Sequence, residues 1–119
     1  MVRYWAKITL SFLLCTSQNN LIVTAGNSTT QLSGLRGIAL DLTTNILYVS
    51  DSNDHHVTQY TLNSTVGTLI AGGNGAGTGR TQLNNPRGLY FESSANSLLI
   101  ANSGANNIVR WVIGDSNWH

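Results

Sequence analysis

The sequence is poor in cysteine, proline and charge, and each scarcity excludes something. Cys15 is the only cysteine among 119 residues, so no intrachain disulfide can form. Charged residues make up 9% of the chain and the formal net charge is +1. We therefore expect no nucleic-acid partner, because phosphate backbones require clustered basic residues. No apolar run is long enough to span a bilayer.

The residues that are abundant predict an all-β protein. Twelve glycines, together with many Asn, Ser and Thr residues, indicate frequent turns between short segments. Apolar residues do not recur at the 3.6-residue spacing of an amphipathic helix. They occur instead in short runs rich in β-branched and aromatic residues, which favour strands.

One long segment occurs twice. Residues Thr30–Tyr60 return 51 positions later as Thr81–Trp111, and eight of the 31 aligned positions are identical. A fixed period of this length is typical of repeat architectures, in which each repeat is one supersecondary unit.

Each repeat predicts an antiparallel meander. In the first repeat the predicted strands are Ile38–Leu40, Ile46–Ser50, Val57–Leu62 and Thr68–Ala71. Four such strands form one blade of a β-propeller. In the second repeat they are Leu89–Phe91, Ser97–Ala101 and Ile108–Ile113, after which the sequence ends before a fourth strand is complete.

The repeat divides the chain into five parts. They are residues 1–20, a signal peptide or a remnant strand; 21–34, an outer strand of a truncated blade and its linker; 35–71, the first blade; 72–85, a Gly- and Asn-rich linker; and 86–119, the truncated second blade. A basic start, an apolar stretch and a polar exit favour the signal peptide, and hence secretion. Alternating Ile8, Leu10 and Phe12 favour the remnant strand. In a secreted chain, Asn63 and Asn27 would be N-glycosylation acceptors.

The sequence predicts no catalytic residues, no metal ligands and no cofactor. The turn Asp51–Asp54 and its counterpart at Asn102 are typical of polar side chains that hold a tight bend. His55 and His56 are adjacent and would point to opposite faces of an extended backbone, so we expect two surface histidines that do not share a metal. The glycines of residues 72–85 match no phosphate-binding motif.

Several motifs resemble the NHL repeat family. They are Pro86-Arg87-Gly88-Leu89, Leu98-Leu99-Ile100-Ala101-Asn102-Ser103, Asn107-Ile108-Val109-Arg110-Trp111, Arg36-Gly37-Ile38-Ala39-Leu40-Asp41 and Leu47-Tyr48-Val49-Ser50-Asp51-Ser52-Asn53. The resemblance covers about residues 21–113. Leu35 stands where the family has its opening proline, and Asn102 stands where it has an aspartate.

The resemblance implies a β-propeller, usually six-bladed, that serves as a non-catalytic binding or scaffold module for protein or extracellular ligands at its rim. Arg36 and Arg87 recur at the start of each blade and are the residues we expect on that rim. The alternative is part of a propeller enzyme, similar to an amidating lyase or a lactonase, whose catalytic residues lie in other blades.

Two blades do not close a propeller. Repeat units need neighbours on both faces to bury their apolar side chains. We therefore expect a part of a longer NHL protein. The alternatives are self-association through the open blade faces, for instance of three copies in a six-bladed ring, and a degenerate remnant with no stable fold.

Overall fold

A computed structural model describes residues 24–25, 31–61, 64 and 66–119. Its strands are β1 (Thr24–Ala25), β2 (Gln31–Leu32), β3 (Leu35–Asp41), β4 (Ile46–Asp51), β5 (His56–Thr61), β6 (Thr68–Gly72), β7 (Pro86–Glu92), β8 (Ser97–Asn102) and β9 (Asn107–Val112). Single-turn 3-10 helices, Ser93–Ala95 and Ser103–Ala105, precede β8 and β9. The predicted all-β class is confirmed.

Two antiparallel meanders make up most of the described chain. The first sheet has the order β3-β4-β5-β6, and the second has the order β7-β8-β9. Neither sheet closes into a barrel, because the first and last strands of each order are edges. A separate parallel pair joins β1 to β2.

The core lies between the two sheets and follows from the period of two in a strand. Tyr48 in β4 and Val57 in β5 are buried against the second sheet, which contributes Leu98, Ile100 and Trp111. Tyr48 also stacks on Phe91, with ring centroids 5.2 Å apart. The alternate residues of the first sheet, Leu47, Val49 and Tyr60, are buried in a second cluster on its opposite face.

The backbone repeats with the sequence. The parallel pair Ala25–Leu32 of β1 and β2 recurs as the parallel bridge Ala76–Leu83, 51 positions later. Asn45 and Asn96 both adopt positive φ, at 58° and 47°. Asx side chains tolerate this left-handed conformation better than most, so the two turns keep an Asn there.

The two sheets are joined through the backbone of β7. The Ser50 hydroxyl donates to the Arg87 carbonyl oxygen at 2.5 Å and accepts from the Gly37 N–H at 2.8 Å. The Ser52 hydroxyl donates to the Pro86 carbonyl. A Cβ atom at Gly37 would overlap the Arg87 carbonyl oxygen, so the absence of a side chain permits this close approach.

The last residue continues the second meander. The backbones of His119 and Arg110 exchange two hydrogen bonds, at 2.9 and 3.4 Å. Thr68 and Gln59, 51 positions earlier, are paired between β6 and β5. His119 therefore occupies the register of the first residue of a fourth strand.

Residues 72–85 are closed by their own hydrogen bonds. Gln82 donates to the Asn74 carbonyl and accepts from the Gly79 N–H, while Asn74 donates to the Thr81 carbonyl. Leu83 at the end of this linker is fully buried in the core. The linker therefore carries part of the packing between the sheets.

Several predictions concern residues that the structure does not describe. The first 20 residues, most of the outer strand predicted for 21–34 and the acceptors Asn27 and Asn63 lie outside the described residues. No helix in the described part of the chain is long and apolar enough to cross a membrane.

Candidate functional sites

Asp51 binds the backbone of the segment that leads into β3, at Ser33 and Gly34. Its Oδ2 accepts the Ser33 N–H at 2.8 Å, and its Oδ1 accepts the Gly34 N–H at 2.8 Å. The carboxylate itself is fully buried. Hydrogen bonds from two backbone N–H groups offset the cost of removing this charge from water.

Asn102 makes the corresponding bond in the second sheet. Its Oδ1 accepts the Asn84 N–H at 2.7 Å, and both residues lie 51 positions after Asp51 and Ser33. A neutral amide is therefore sufficient to accept this backbone hydrogen bond. The sequence predicted that these two side chains hold a tight bend. In the structure each one also accepts a hydrogen bond from a backbone N–H 18 residues upstream.

Three titratable side chains converge where β4 passes into β5. The ligand-type atoms of Asp51, Asp54 and His56 all lie within 4.8 Å of one another. Asp51 and His56 are direct cross-strand partners, and Asp54 lies in the turn that joins them. Cross-strand partners share one face of a sheet, so the hairpin register creates this cluster.

Two atoms of the cluster are buried without a partner. Asp54 Oδ2 and His56 Nε2 make no hydrogen bond with any described residue, and the hydroxyl of Thr58, two positions along β5, is also unpaired. Burial lowers the pKa of His56, against the opposing effect of the charges on Asp51 and Asp54. The imidazole is therefore held in its neutral form, which can offer a lone pair.

The predicted surface position of His56 is wrong, since its side chain is only 8% exposed. The prediction assumed an extended backbone, but His55 has a φ of 56° and ends the turn. His55 Nδ1 accepts the Asn85 N–H at 2.9 Å and so helps to join the first sheet to the linker. The two histidines thus have separate roles.

Arg36 and Arg87 occupy equivalent, exposed positions. Each lies at an irregularity in the pairing of the first strand of its sheet, between Leu35 and Gly37 or between Pro86 and Leu89. Their shared setting matches the expectation from the repeat, and their role in binding stays a prediction.

The second sheet carries an exposed apolar surface, which we call the outer face. Cross-strand pairing places its members on the side of the sheet opposite the core. They are Tyr90, Leu99, Ala101, Ile108 and Arg110. Tyr90 is 63% exposed and Ile108 is 73% exposed. The sequence predicted open blade faces but not which residues stay exposed on them, because the two repeats have the same apolar pattern.

The remaining histidine stays apart from the cluster. His119 Nε2 lies 2.9 Å from Asp115 Oδ2, and both side chains are about half exposed. This pair offers a surface control for the buried group at His56.

Neither the protein-family models nor the curated proteins contain a match to this chain.

Proposed function

We propose that this protein is a non-catalytic binding module, built of NHL-like blades, whose outer face binds a β-sheet face of a partner protein. The observation that carries the proposal is the contrast between Val57 and Ile108. These residues are 51 positions apart, yet Val57 is fully buried under the second sheet whereas Ile108 is 73% exposed.

The outer face has the character of an interface centre. Its residues correspond to those of the first sheet that are covered: Tyr90 corresponds to Ala39, Leu99 to Tyr48, and Ala101 to Ser50. Replacement of the Ser50 hydroxyl by the methyl group of Ala101 makes the surface more apolar. Exposed apolar patches bordered by polar residues are typical of protein-binding sites.

A polar border is present at the edge of the outer face. Arg110 pairs with Glu92 at 3.0 Å, and both side chains keep access to solvent. Such a pair adds little to folding stability because water screens it. It would instead favour a partner that presents complementary charge at this border.

The contacts of the first sheet indicate what kind of surface a partner would present to the outer face. Its corresponding face is covered by Leu98, Ile100 and Trp111, an alternating aliphatic and aromatic surface. A second copy of the chain is a poor candidate, because the residues it would offer in the same register, Leu47 and Tyr60, are already buried. The proposed occupant is therefore a sheet face of another protein.

The test is site-specific photo-crosslinking of the full chain in its native cells. A photoreactive residue replaces Ile108 on the outer face and, as the matched control, Leu42, which is 78% exposed in a turn of the first sheet. Mass spectrometry then locates the crosslinked residues on the partner.

We expect adducts from position 108 at alternate residues of one strand of the partner, and we expect Tyr90→Lys to abolish them. Equal adducts from position 42, an adduct to a second copy of this chain, or no adduct from position 108 would each overturn the proposal.

A further inference from the structure

We infer that Asp51, Asp54 and His56 form a binding site for one Zn²⁺ or a similar divalent transition-metal ion. Their ligand atoms lie within 4.8 Å of one another. Zinc bonds of about 2.0–2.2 Å place tetrahedral ligands roughly 3.4 Å apart, so small side-chain movements would close the site.

Unpaired buried atoms within the cluster point to a ligand. Asp54 Oδ2 and His56 Nε2 have no hydrogen-bond partner in the described part of the chain, and the His56 side chain is more than nine-tenths buried. An unsatisfied buried polar atom is destabilising, and native proteins rarely leave several together. A metal ion would satisfy both atoms and would neutralise two adjacent carboxylates.

Asp51 is oriented to contribute the third ligand. Among the described residues, the one donor to its Oδ2 is the Ser33 N–H. Its Oδ1 accepts from the Gly34 N–H, from the Ser33 hydroxyl and, at 3.4 Å, from the Asp54 N–H. Each carboxylate oxygen can accept two bonds, so Oδ2 retains a lone pair. Hydrogen bonds that fix a carboxylate in this way are typical of the groups that support metal ligands.

The second repeat shows that the fold does not need these ligands. At the positions equivalent to Asp51, Asp54 and His56 it has Asn102, Ala105 and Asn107. The hairpin forms nonetheless, with Asn102 paired to Asn107 just as Asp51 is paired to His56. The hairpin of the first repeat therefore does not need the carboxylates of Asp51 and Asp54 or the imidazole of His56 in order to form.

The donor set selects the class of metal. One imidazole nitrogen with two carboxylates suits Zn²⁺, Co²⁺ or Ni²⁺, whereas Ca²⁺ takes six to eight oxygen ligands and Mg²⁺ prefers oxygen donors. A fourth coordination position would remain for water or an anion. The inference goes beyond the proposed binding function, because the cluster lies on the opposite face of the first sheet from the core that joins it to the second.

The test measures binding of Zn²⁺ by calorimetry and of Co²⁺ by visible absorption, using the full chain after treatment with a chelator. The variants are Asp54→Ala and His56→Asn, which install the residues of the second repeat, and Asp51→Asn, which keeps one acceptor oxygen for the backbone, as Asn102 does. His119→Asn is the control at the exposed pair with Asp115. Circular dichroism without metal verifies that each variant is folded.

We expect one Zn²⁺ per chain and the intense visible bands of tetrahedral Co²⁺. Each cluster variant should lose at least about 100-fold in affinity, since even loss of a supporting contact costs 10–100-fold. His119→Asn should bind like the unmodified chain. Absence of binding by the unmodified chain, or retention of full affinity by folded His56→Asn, would overturn the inference. Loss of binding in His119→Asn would do the same.

Discussion

Asp51 and Asn102 accept equivalent backbone hydrogen bonds 51 residues apart, from Ser33 at 2.8 Å and from Asn84 at 2.7 Å. A carboxylate and an amide thus bind the equivalent backbone N–H in the two sheets, and Asp51 accepts the Gly34 N–H in addition. The shared hydrogen bond is a feature that both repeats use to fold, whereas the negative charge of Asp51 occurs only in the first repeat.

Asp51→Ala should destabilise the protein more than Asp51→Asn does. The alanine variant leaves the Ser33 and Gly34 N–H groups without their acceptors, at a cost of about 1–3 kcal/mol. The asparagine variant keeps one acceptor oxygen, as Asn102 does, and leaves only one of the two N–H groups without an acceptor, so it should lose less than the alanine variant. Chemical denaturation in the presence of a chelator measures both, and equal losses would contradict the assignment.

Gly37→Ala should be much more disruptive than Gly88→Ala, although the two glycines are equivalent in the repeat. A methyl group at Gly37 would overlap the Arg87 carbonyl oxygen, whereas at Gly88 the nearest atom beyond the adjoining residues, Ala101 Cβ, is 3.9 Å away. We expect a loss of about 1–3 kcal/mol at Gly37, as for other overpacked sites, and a change within about 0.5 kcal/mol at Gly88. Thermal unfolding of the two variants is the measurement. Similar midpoints would mean that the sheets do not approach each other as described.

Val57→Ala and Ile108→Ala test the difference between the two equivalent faces. Val57 is fully buried between the sheets, so its truncation should lower the free energy of unfolding by roughly 1–3 kcal/mol. Ile108 is largely exposed, so its truncation should change that free energy by no more than about 0.5 kcal/mol. Denaturant titration distinguishes these outcomes, and a large loss at Ile108 would mean that the isolated chain already covers its outer face.

Alkaline pH should destabilise the fold through its buried tyrosines. Burial, followed by the charge of Asp51, raises the pKa of Tyr60 from 10.0 to about 12, and burial also raises the pKa of Tyr48. The unfolded chain releases these protons at lower pH than the folded chain does. The contribution of both groups to stability is therefore fully present below pH 10 and declines as the pH rises towards 12.

Urea denaturation at a series of pH values above and below 10 measures this decline. Tyr60→Phe removes one of the two groups and should make the decline shallower. The same slope in both proteins would show that Tyr60 does not contribute to the linkage.

Much of the fold could be predicted from the sequence because the repeat carries it. Short apolar runs around Leu47 and Leu98 specify strands in both copies, and polar turns separate them. The cluster could not be predicted, because it depends on which residue of β5 faces Asp51. That register is set by the positive φ of His55, which the sequence does not display. The exposure of Ile108 likewise depends on what packs on each face, since Val57 shows the same local pattern.

The proposed binding function is tested most directly by the affinity of the crosslinked partner for two variants of the full chain. Ile108→Lys places a charge at the centre of the outer face, whereas Leu42→Lys places one on an equally exposed turn. We predict that Ile108→Lys weakens binding by roughly 30-fold or more, as expected for an interface hot spot of about 2 kcal/mol. Leu42→Lys should leave the affinity unchanged, and equal affinity of both variants would contradict the proposal.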